Sequence, residues 1–284
     1  MASRKRFTGA GMAVAMVVLL ATLAGCGPGS TASGPTPTAT AGATGSAGPP
    51  YPTPREETYQ GCPPQGDGGD TALNVLKNRI DTGNWQPVSL QDLLSLTWPS
   101  GVEKTRRSNW SQADAQTVAQ SEGRPVVAEG YLLMLRHEGP ESPNCHDRSS
   151  RDYHAWLAAS ASDDRSSAMI VELTPRVVAN NPGWGSEQSI LRLAGHHVRV
   201  SGWLLLDQEH PEQLHKTRGT LWEIHPVMKI EVDQGGSWAN LASGTVALGN
   251  GVARTTGSQG QSTGNSGSPS SRHHRTRHRR HRSS

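Results

Sequence analysis

The feature that most constrains the fold is a change of hydrophobic period at Pro125. From there to Val232 five strand-like segments follow. The second, fourth and fifth of them place their residues on two distinct faces, as half-buried strands do when side chains point to opposite faces in turn. In chain order the segments are RPVVAEGYLLMLRHE, DYHAWLAAS, SAMIVELTPRV (ended by Pro175), HHVRVSGWLLLD and RGTLWEIHPVMKIEV. The chain is therefore predicted to be mainly β between residues 124 and 233.

One helical segment interrupts this series. WGSEQSILRLAG has helical spacing, ends at Gly195 and stands between the third and fourth strands. Five strands with a helix in that position follow the order of an OB-fold, a partly open Greek-key barrel. Gly130 interrupts the first strand, where a bulge or bend would let that strand serve both sheets. The prediction is a five-stranded OB-like barrel, with an SH3-like barrel or a small sandwich as the alternative.

The last strand has two distinct faces. Alternation predicts a core face and a polar face, formed respectively by Trp222, Ile224, Met228, Ile230 and by Glu223, His225, Lys229, Glu231. The Glu-x-His pair on the polar face is the first candidate for a binding or reactive site.

Three short helices are predicted in residues 59–123, before the barrel. Asp70, Ser89 and Ser111 each precede a helical pattern and are typical N-cap residues. The first helix places Leu73, Leu76 and Ile80 on one apolar face.

The N-terminus contains the parts of a secretory signal. A basic Arg4-Lys5-Arg6 precedes the apolar run AVAMVVLLATLAG, which is too short for a transmembrane span. The sequence Leu23-Ala24-Gly25-Cys26 resembles the lipobox of bacterial lipoproteins. That resemblance implies a signal peptide over residues 1–25 and a diacylated Cys26. We therefore expect a lipid-anchored protein at the extracytoplasmic face of the cell membrane.

Residues 26–58 and 234–284 are rich in Gly, Ser, Thr and Pro and are predicted to be a disordered tether and tail. The formal net charge is +3; subtracting the three basic residues at positions 4–6 leaves 0, and subtracting the six arginines of the terminal RHHRTRHRRHRSS leaves −6. The tail is a candidate for binding an anionic envelope polymer or lipid phosphate, with a solvated extension as the alternative. The acidic folded part disfavours nucleic acid as its ligand.

Three cysteines are present, and lipidation would use Cys26. An even remainder in an oxidising compartment predicts a disulfide between Cys62 and Cys145. The alternative is that Cys145, beside His146, is a nucleophile or a metal ligand, which would need a reduced thiol outside the cell.

A set of polar segments lies between Asn144 and Glu231: NCH, DYH, VELTPR, GWLLLDQEH and TRGTLWEIHPVMKIEV. With Lys77-Asn78-Arg79, these segments resemble a family of exported bacterial proteins with the pattern NCH…DxHIEL…VEVTPR…GWxxxDxEH…WEIHP(I/V)xxIEV, over most of Cys62 to Val232. The resemblance implies a common fold and a shared set of polar residues, but no reaction, because no activity is established for that family. Trp156 stands where the pattern has a glutamate, which weakens any site that depends on that carboxylate.

The candidate binding residues from these segments are His154, Glu172, Arg176, Asp207, His210, Arg218, Glu223 and His225. Five of them have side chains of metal-ligand type, namely His154, Asp207, His210, Glu223 and His225. Because none of the spacings is a recognised metal motif such as HExxH, the sequence predicts neither a metal site nor a cofactor. The alternative is that these residues only stabilise the fold: Glu172 pairs with Arg176, Glu223 pairs with Arg218, and His225 donates to a neighbouring carbonyl.

Three functions remain open. The leading one is a lipid-anchored extracytoplasmic binding or accessory module of the cell envelope. The second is a metal-dependent hydrolase acting on phosphodiesters, in which Glu172, Asp207 and Glu223 hold a divalent ion and Arg176 and Arg218 clamp phosphate. The third is a structural cell-surface spacer. The chain has no nucleotide-binding loop, nucleophile elbow or catalytic Cys-His pattern that would indicate a standard enzyme class.

Overall fold

The alternating segments form a closed barrel in the computed structural model, which describes residues 53–248. The strands are β1 Gln86–Pro87, β2 Pro125–His137, β3 Tyr153–Ala158, β4 Met169–Leu173, β5 His197–Leu206, β6 Trp222–Asp233 and β7 Trp238–Asn240. The barrel order is β2-β3-β4-β6-β5, and β5 pairs back with β2. Within the barrel, β4 and β6 run parallel and the other neighbours run antiparallel. This is the predicted five-stranded OB-like barrel. The predicted signal peptide, Cys26, most of the tether and the Arg/His-rich end of the tail lie outside the described residues.

The long strand β2 serves both sides of the barrel, as predicted. It pairs with β5 from Pro125 to Tyr131 and with β3 from Tyr131 to His137. The change of partner occurs beside Gly130, where a Cβ atom would lie 2.6 Å from the Ala158 carbonyl oxygen. The register shift itself lies between Leu132 and Leu135, so Gly130 allows a close approach of backbones and is not itself the bulge.

Five α-helices flank these strands within residues 53–248: α1 Thr71–Lys77, α2 Leu90–Leu94, α3 Gln112–Ala119, α4 Pro175–Ala179 and α5 Glu187–Leu191. The predicted caps Asp70, Ser89 and Ser111 each accept a backbone N–H in the first turn of their helix. The helix α4 adds to the single helix predicted between the third and fourth barrel strands. It forms because Thr174 caps it and Pro175 occupies its first turn, where proline costs no hydrogen bond.

The face that α1 buries is more polar than its sequence predicts. Leu73 is buried, but Leu76 and Ile80 are only partly buried, whereas Asn74 and Lys77 are fully covered. The helix therefore rests on a polar surface of the barrel and not on an apolar one.

The main core lies inside the barrel. Inward side chains of β5 and β6, such as Val198, Leu204, Trp222 and Ile224, are at most 1 % exposed. The core face of β6 continues with Val227 and not with the predicted Met228, which is only partly buried. The β5–β6 ladder is irregular next to Gly202, and this irregularity shifts the alternation by one residue. The His225–Pro226 peptide in the same region is cis.

The ordered chain continues beyond the tail boundary predicted at Asp233. The strand β7 pairs with the end of β6, and Leu241 is buried against the core. The Gly and Gln residues after Asp233 form the hairpin turn: Asp233 Oδ1 accepts the backbone N–H groups of Gly235 and Gly236 at 3.0 and 2.9 Å. No helix within residues 53–248 is long and apolar enough to cross a membrane.

The predicted disulfide between Cys62 and Cys145 is present, with the Cα atoms 5.8 Å apart. It joins the segment before α1 to the loop between β2 and β3. Neither cysteine is therefore a free thiol, which removes the alternative of a nucleophilic or metal-binding Cys145.

Candidate functional site

The polar side chains of β3, β4 and β6 point away from the barrel core and form one cluster. Alternation explains this: Tyr153, Ala155 and Ile224 point into the core, so their neighbours point outward. We call the following set the buried polar cluster, and each member is at most 6 % exposed: Lys77, Asp152, His154, Glu172, Asp207, Arg218, Glu223 and His225.

The N-terminal segment, residues 57–79, covers this face. Asn78 Nδ2 donates to the carbonyl oxygens of Pro64 and Pro143, at 2.9 and 2.8 Å. Arg176 Nε donates to Asn78 Oδ1 at 2.8 Å, and its other nitrogens donate to the carbonyls of Glu57, Cys62 and Pro63. Arg176 therefore fastens the covering segment to the barrel, and its guanidinium donors are already engaged.

Arg218 holds one end of the cluster. Its guanidinium contacts Asp207 Oδ2 at 2.8 Å and Glu223 Oε1 at 2.9 Å, and all three side chains are at most 2 % exposed. His210 Nδ1 lies 2.7 Å from the same oxygen of Asp207. Burial alone would raise the pKa of Asp207, but the His210 hydrogen bond and the Arg218 charge hold this pKa well below its ordinary value.

His154 bridges two carboxylates in the middle of the cluster. Its Nδ1 lies 3.0 Å from Glu138 Oε1 and 3.0 Å from Glu172 Oε1. Burial alone would lower the pKa of His154, but these contacts raise it to about 9. Trp156 packs against the His154 ring, with the ring centroids 4.5 Å apart. This tryptophan stands where the DxHIEL pattern has a glutamate.

His225 lies at the centre of the cluster with no hydrogen bond to either ring nitrogen. Its Nε2 is 3.7 Å from Asp152 Oδ2, and its Nδ1 is 3.3 Å from Glu172 Oε2 and 3.5 Å from Glu223 Oε2. Those three oxygens also have no hydrogen-bond partner. Burial alone would lower the pKa of His225, but the charge of Glu172 and other carboxylates raises it.

Burial raises the pKa of two carboxyl groups in or beside the cluster. Burial and the charge of Glu172 raise the pKa of Asp152 to about 6. Burial raises the pKa of Glu141 to about 7 against the charge of Lys77. For Lys77 itself, burial alone would lower the pKa, but Asp207 and Glu141 raise it above its ordinary value. The acidic groups of the cluster thus differ in pKa: burial raises it for Asp152 and Glu141, whereas the His210 hydrogen bond and the Arg218 charge lower it for Asp207.

The structure brings most of the predicted residues together but assigns them different neighbours. His154, Glu172, Asp207, Arg218, Glu223 and His225 all lie in the cluster, whereas His210 is at its edge with a side chain 39 % exposed. The expected Arg218–Glu223 pair is present and buried. The expected Glu172–Arg176 pair is not formed: Glu172 faces His154 and His225, and the donors of Arg176 go to Asn78 and to backbone carbonyls.

Sequence reasoning missed several members of the site. Asp152 and Lys77 belong to the cluster, and Asn144 donates to Asp152 Oδ1 at 2.9 Å. Asp152 could have been found, because it is in phase with His154 two residues later on the outward face of β3. Lys77 could not, because nothing in a helical pattern indicates that an ammonium group will be buried.

An open cleft lies elsewhere on the barrel. It has a volume of about 610 Å³ and lies over the outer faces of β2, β5 and β6, lined among others by Trp85, Val127, Arg199, Lys229 and Glu231. The charges in this cleft are paired and partly exposed, with Arg199 Nε 3.0 Å from Glu129 Oε2 and Lys229 Nζ 2.8 Å from Glu231 Oε1.

The two regions differ in the chemistry they allow. The cleft is open to ligands from solvent, whereas the buried polar cluster has metal-ligand-type atoms but almost no exposure.

Comparison with protein-family models, with curated proteins and with solved structures finds no match for the chain.

Proposed function

We propose that the chain is a lipid-anchored binding or accessory module of the cell envelope, held at the extracytoplasmic face of the membrane through Cys26. The lipobox-like sequence at residues 23–26 supports the anchor. The Cys62–Cys145 disulfide supports an oxidising compartment, where such bonds persist. The tether then separates the barrel from the membrane surface.

The observation that carries the binding role is the open cleft over β2, β5 and β6. Its lining combines the half-buried indole of Trp85 with the charged groups of Glu129, Arg199 and Lys229. Pockets that bind ligands commonly combine apolar walls with a few polar groups that fix orientation. A ligand for this cleft would offer both an apolar surface and hydrogen-bonding groups. A ligand in the cleft would contact Lys229 and Glu231 on the polar face of β6. It would leave Glu223 and His225, the buried residues of the same face, in place.

A hydrolytic role is the weaker candidate on geometric grounds. A phosphodiester would have to reach Glu172, Asp207 and Glu223, which are at most 5 % exposed. The proposed phosphate clamps Arg176 and Arg218 are also buried and already hydrogen-bonded. The binding module requires no displacement of the covering segment, so it accounts for the geometry more simply.

The anchor is tested by Cys26→Ser in cells that express the full chain. The unaltered protein should sediment with membranes and enter the detergent phase on phase partition, and the variant should be released into the soluble fraction. Retention of the variant on membranes would contradict a lipid anchor at Cys26.

The cleft is tested by co-sedimentation of the Cys26→Ser chain, which cannot carry the lipid anchor, with purified cell-wall and membrane fractions, and the variants below are made in that chain. Arg199→Glu and Lys229→Glu should each weaken binding about tenfold or more, because they place like charges beside Glu129 and Glu231. The matched control is Lys216→Glu, an exposed lysine outside the cleft, which should leave binding unchanged. Equal binding by all four proteins would count against the cleft, and loss of binding on neutralising only the tail arginines would move the ligand site to the tail.

A further inference from the structure

Three carboxylates of the cluster share one pattern within residues 53–248: one oxygen is held by a neighbouring side chain, and the other faces the His225 ring without a hydrogen bond. Asp152 Oδ1 accepts from Asn144, Glu172 Oε1 faces His154, and Glu223 Oε1 faces Arg218. Asp152 Oδ2, Glu172 Oε2 and Glu223 Oε2 have no hydrogen bond. Because the contact to the first oxygen fixes the orientation of each carboxylate, the position of the second oxygen is also fixed.

The unpaired oxygens surround an equally unpaired imidazole. Both nitrogens of His225 lack a hydrogen bond, and the residue is 0 % exposed. Asp152 and Glu172 are 1 % and 5 % exposed. Buried polar atoms in native proteins nearly always have a hydrogen-bond partner. These atoms face one another at 3.3–3.7 Å without a hydrogen bond, so the group is a candidate ligand site.

The spacing of these atoms suits a metal ion. One ligand atom from each of Asp152, Glu172 and His225 lies within 4.8 Å of the other two. Atoms bound at about 2.0–2.2 Å from one ion are themselves roughly 3–4 Å apart, so only small side-chain movements would be needed. Glu223 Oε2, 3.5 Å from His225 Nδ1, is next to the three and is placed to become a further ligand.

We propose that Asp152, Glu172 and His225 bind a divalent transition-metal ion, of the Zn²⁺ or Mn²⁺ class, in a closed structural site. One imidazole with carboxylate oxygens suits these ions, whereas Ca²⁺ takes six to eight oxygen ligands.

The surroundings of the three ligands resemble the outer shell of a metal site. Asn144 and His154 hold the carboxylates of Asp152 and Glu172 in place, as outer-shell partners do in metalloproteins, and Arg218 holds the neighbouring Glu223. The ion would join the residue before β3, the strand β4 and the strand β6. Because the ligands are buried, this role is structural and is independent of the ligand bound in the open cleft.

The test uses the full chain, stripped with a chelator and then loaded with ZnCl₂ or MnCl₂ alone. Metal content after dialysis is measured by mass spectrometry, and affinity by calorimetric titration. Asp152→Asn, Glu172→Gln and His225→Gln should each lose about one ion per chain, or weaken its binding by at least ~100-fold. The histidines of the C-terminal tail are present in every variant, so any ions that they bind cancel in the comparison.

Two controls match the chemistry of these changes. Glu138→Gln removes a carboxylate that also contacts His154 but does not face His225, and His210→Gln removes an imidazole at the edge of the cluster. Both should keep the ion. Equal metal content in all six proteins would overturn the proposal, because it would place the bound metal at the tail alone.

If the ligand variants do not fold, the metal site can be located in the unaltered chain. Crystals of the metal-loaded protein should show an anomalous peak, at the absorption edge of the added metal, between Asp152, Glu172 and His225. X-ray absorption should report oxygen ligands with one imidazole. Ordered water alone at that position would overturn the proposal.

Discussion

At the scale of single residues, burial decides what a charged pair contributes. Arg218 and its partners Asp207 and Glu223 are at most 2 % exposed, whereas the Lys104–Glu212 pair has both side chains more than half exposed. Removing one partner of a buried pair leaves an uncompensated charge in a low-dielectric site, but an exposed partner is simply rehydrated.

Arg218→Met should therefore lower the free energy of unfolding by about 3–5 kcal/mol, because Asp207 and Glu223 lose their buried cation. Lys104→Met should change it by less than about 1 kcal/mol. Urea unfolding followed by tryptophan fluorescence measures both. Similar small effects for the two variants would show that Arg218 is not the partner that stabilises the buried carboxylates.

The His210–Asp207 contact predicts a pH-dependent contribution to stability. The hydrogen bond to Asp207 raises the pKa of His210 above its ordinary value of 6.5, although burial opposes this. A raised histidine pKa stabilises the folded state fully below the unfolded pKa, and this contribution is lost as pH rises through the folded pKa. The unfolding free energies of the unaltered chain and His210→Gln should thus differ most below pH 6.5 and converge as the pH rises through the raised folded pKa of His210. A difference that grows with pH would contradict the assignment.

The polar residues of the site were predictable only in part. The alternation of WEIHP indicated that Glu223 and His225 share a face, and this is what the structure shows. The neighbours of each residue were not predictable, because they depend on which loop covers that face. Arg176 appeared to be a candidate phosphate clamp, but its donors meet the carbonyl oxygens of residues 57, 62 and 63.

At the scale of elements, the sequence predicts the barrel strands but not how the N-terminal segment, residues 57–79, covers them. Five strand-like segments, with a helix between the third and fourth of them, were enough to predict the OB-like barrel. For α1 the pattern indicated only Leu73, Leu76 and Ile80, because periodicity identifies an apolar face but not the surface on which a helix rests. Asn74 is buried because it bonds to the carbonyls of Gln65 and Gly68 and to Ser142 Oγ, whereas Lys77 is buried beside the carboxylates of the polar cluster.

The disulfide should contribute strongly to the attachment of this cover. It closes a loop with a sequence separation of 83 residues, for which the chain-entropy model gives about 4–5 kcal/mol. Replacing both Cys62 and Cys145 by Ser should lower the unfolding free energy by about that amount. Reducing agent should bring the unaltered protein to the same value and leave the double variant unchanged. An unfolding free energy that is insensitive to both treatments would contradict the role of this bridge.

The close approach of the paired strands β5 and β6 depends on Gly202. A Cβ atom there would lie 2.6 Å from Ile224 Cγ2 and 3.1 Å from Val227 Cα, at the irregular part of the ladder. Gly202→Ala should cost about 1–3 kcal/mol of unfolding free energy through overpacking. The matched control is Gly139→Ala, where nothing lies within 4 Å of the added atom and the change should be near neutral. Equal effects in thermal or urea unfolding would show that the close approach at Gly202 is not required.

At the scale of the whole molecule, the structure is an OB-like barrel with one polar face closed by its own N-terminal segment and another face left open. The closed face contains the buried polar cluster and the proposed metal ligands. The open face contains the cleft proposed to bind an envelope ligand. The central claim is that the N-terminal segment and the barrel form one cooperative unit, because their charged groups satisfy one another only when both are in place.

Native-state hydrogen exchange of the full chain, read by mass spectrometry, tests this claim most directly. The amides of α1, Thr71–Lys77, should exchange with the same opening free energy as those of β3 and β6, since opening the cover would expose Lys77, Glu172 and His225 together. If α1 instead exchanges orders of magnitude faster while β3 and β6 stay protected, the segment is a loosely attached extension and the account is wrong.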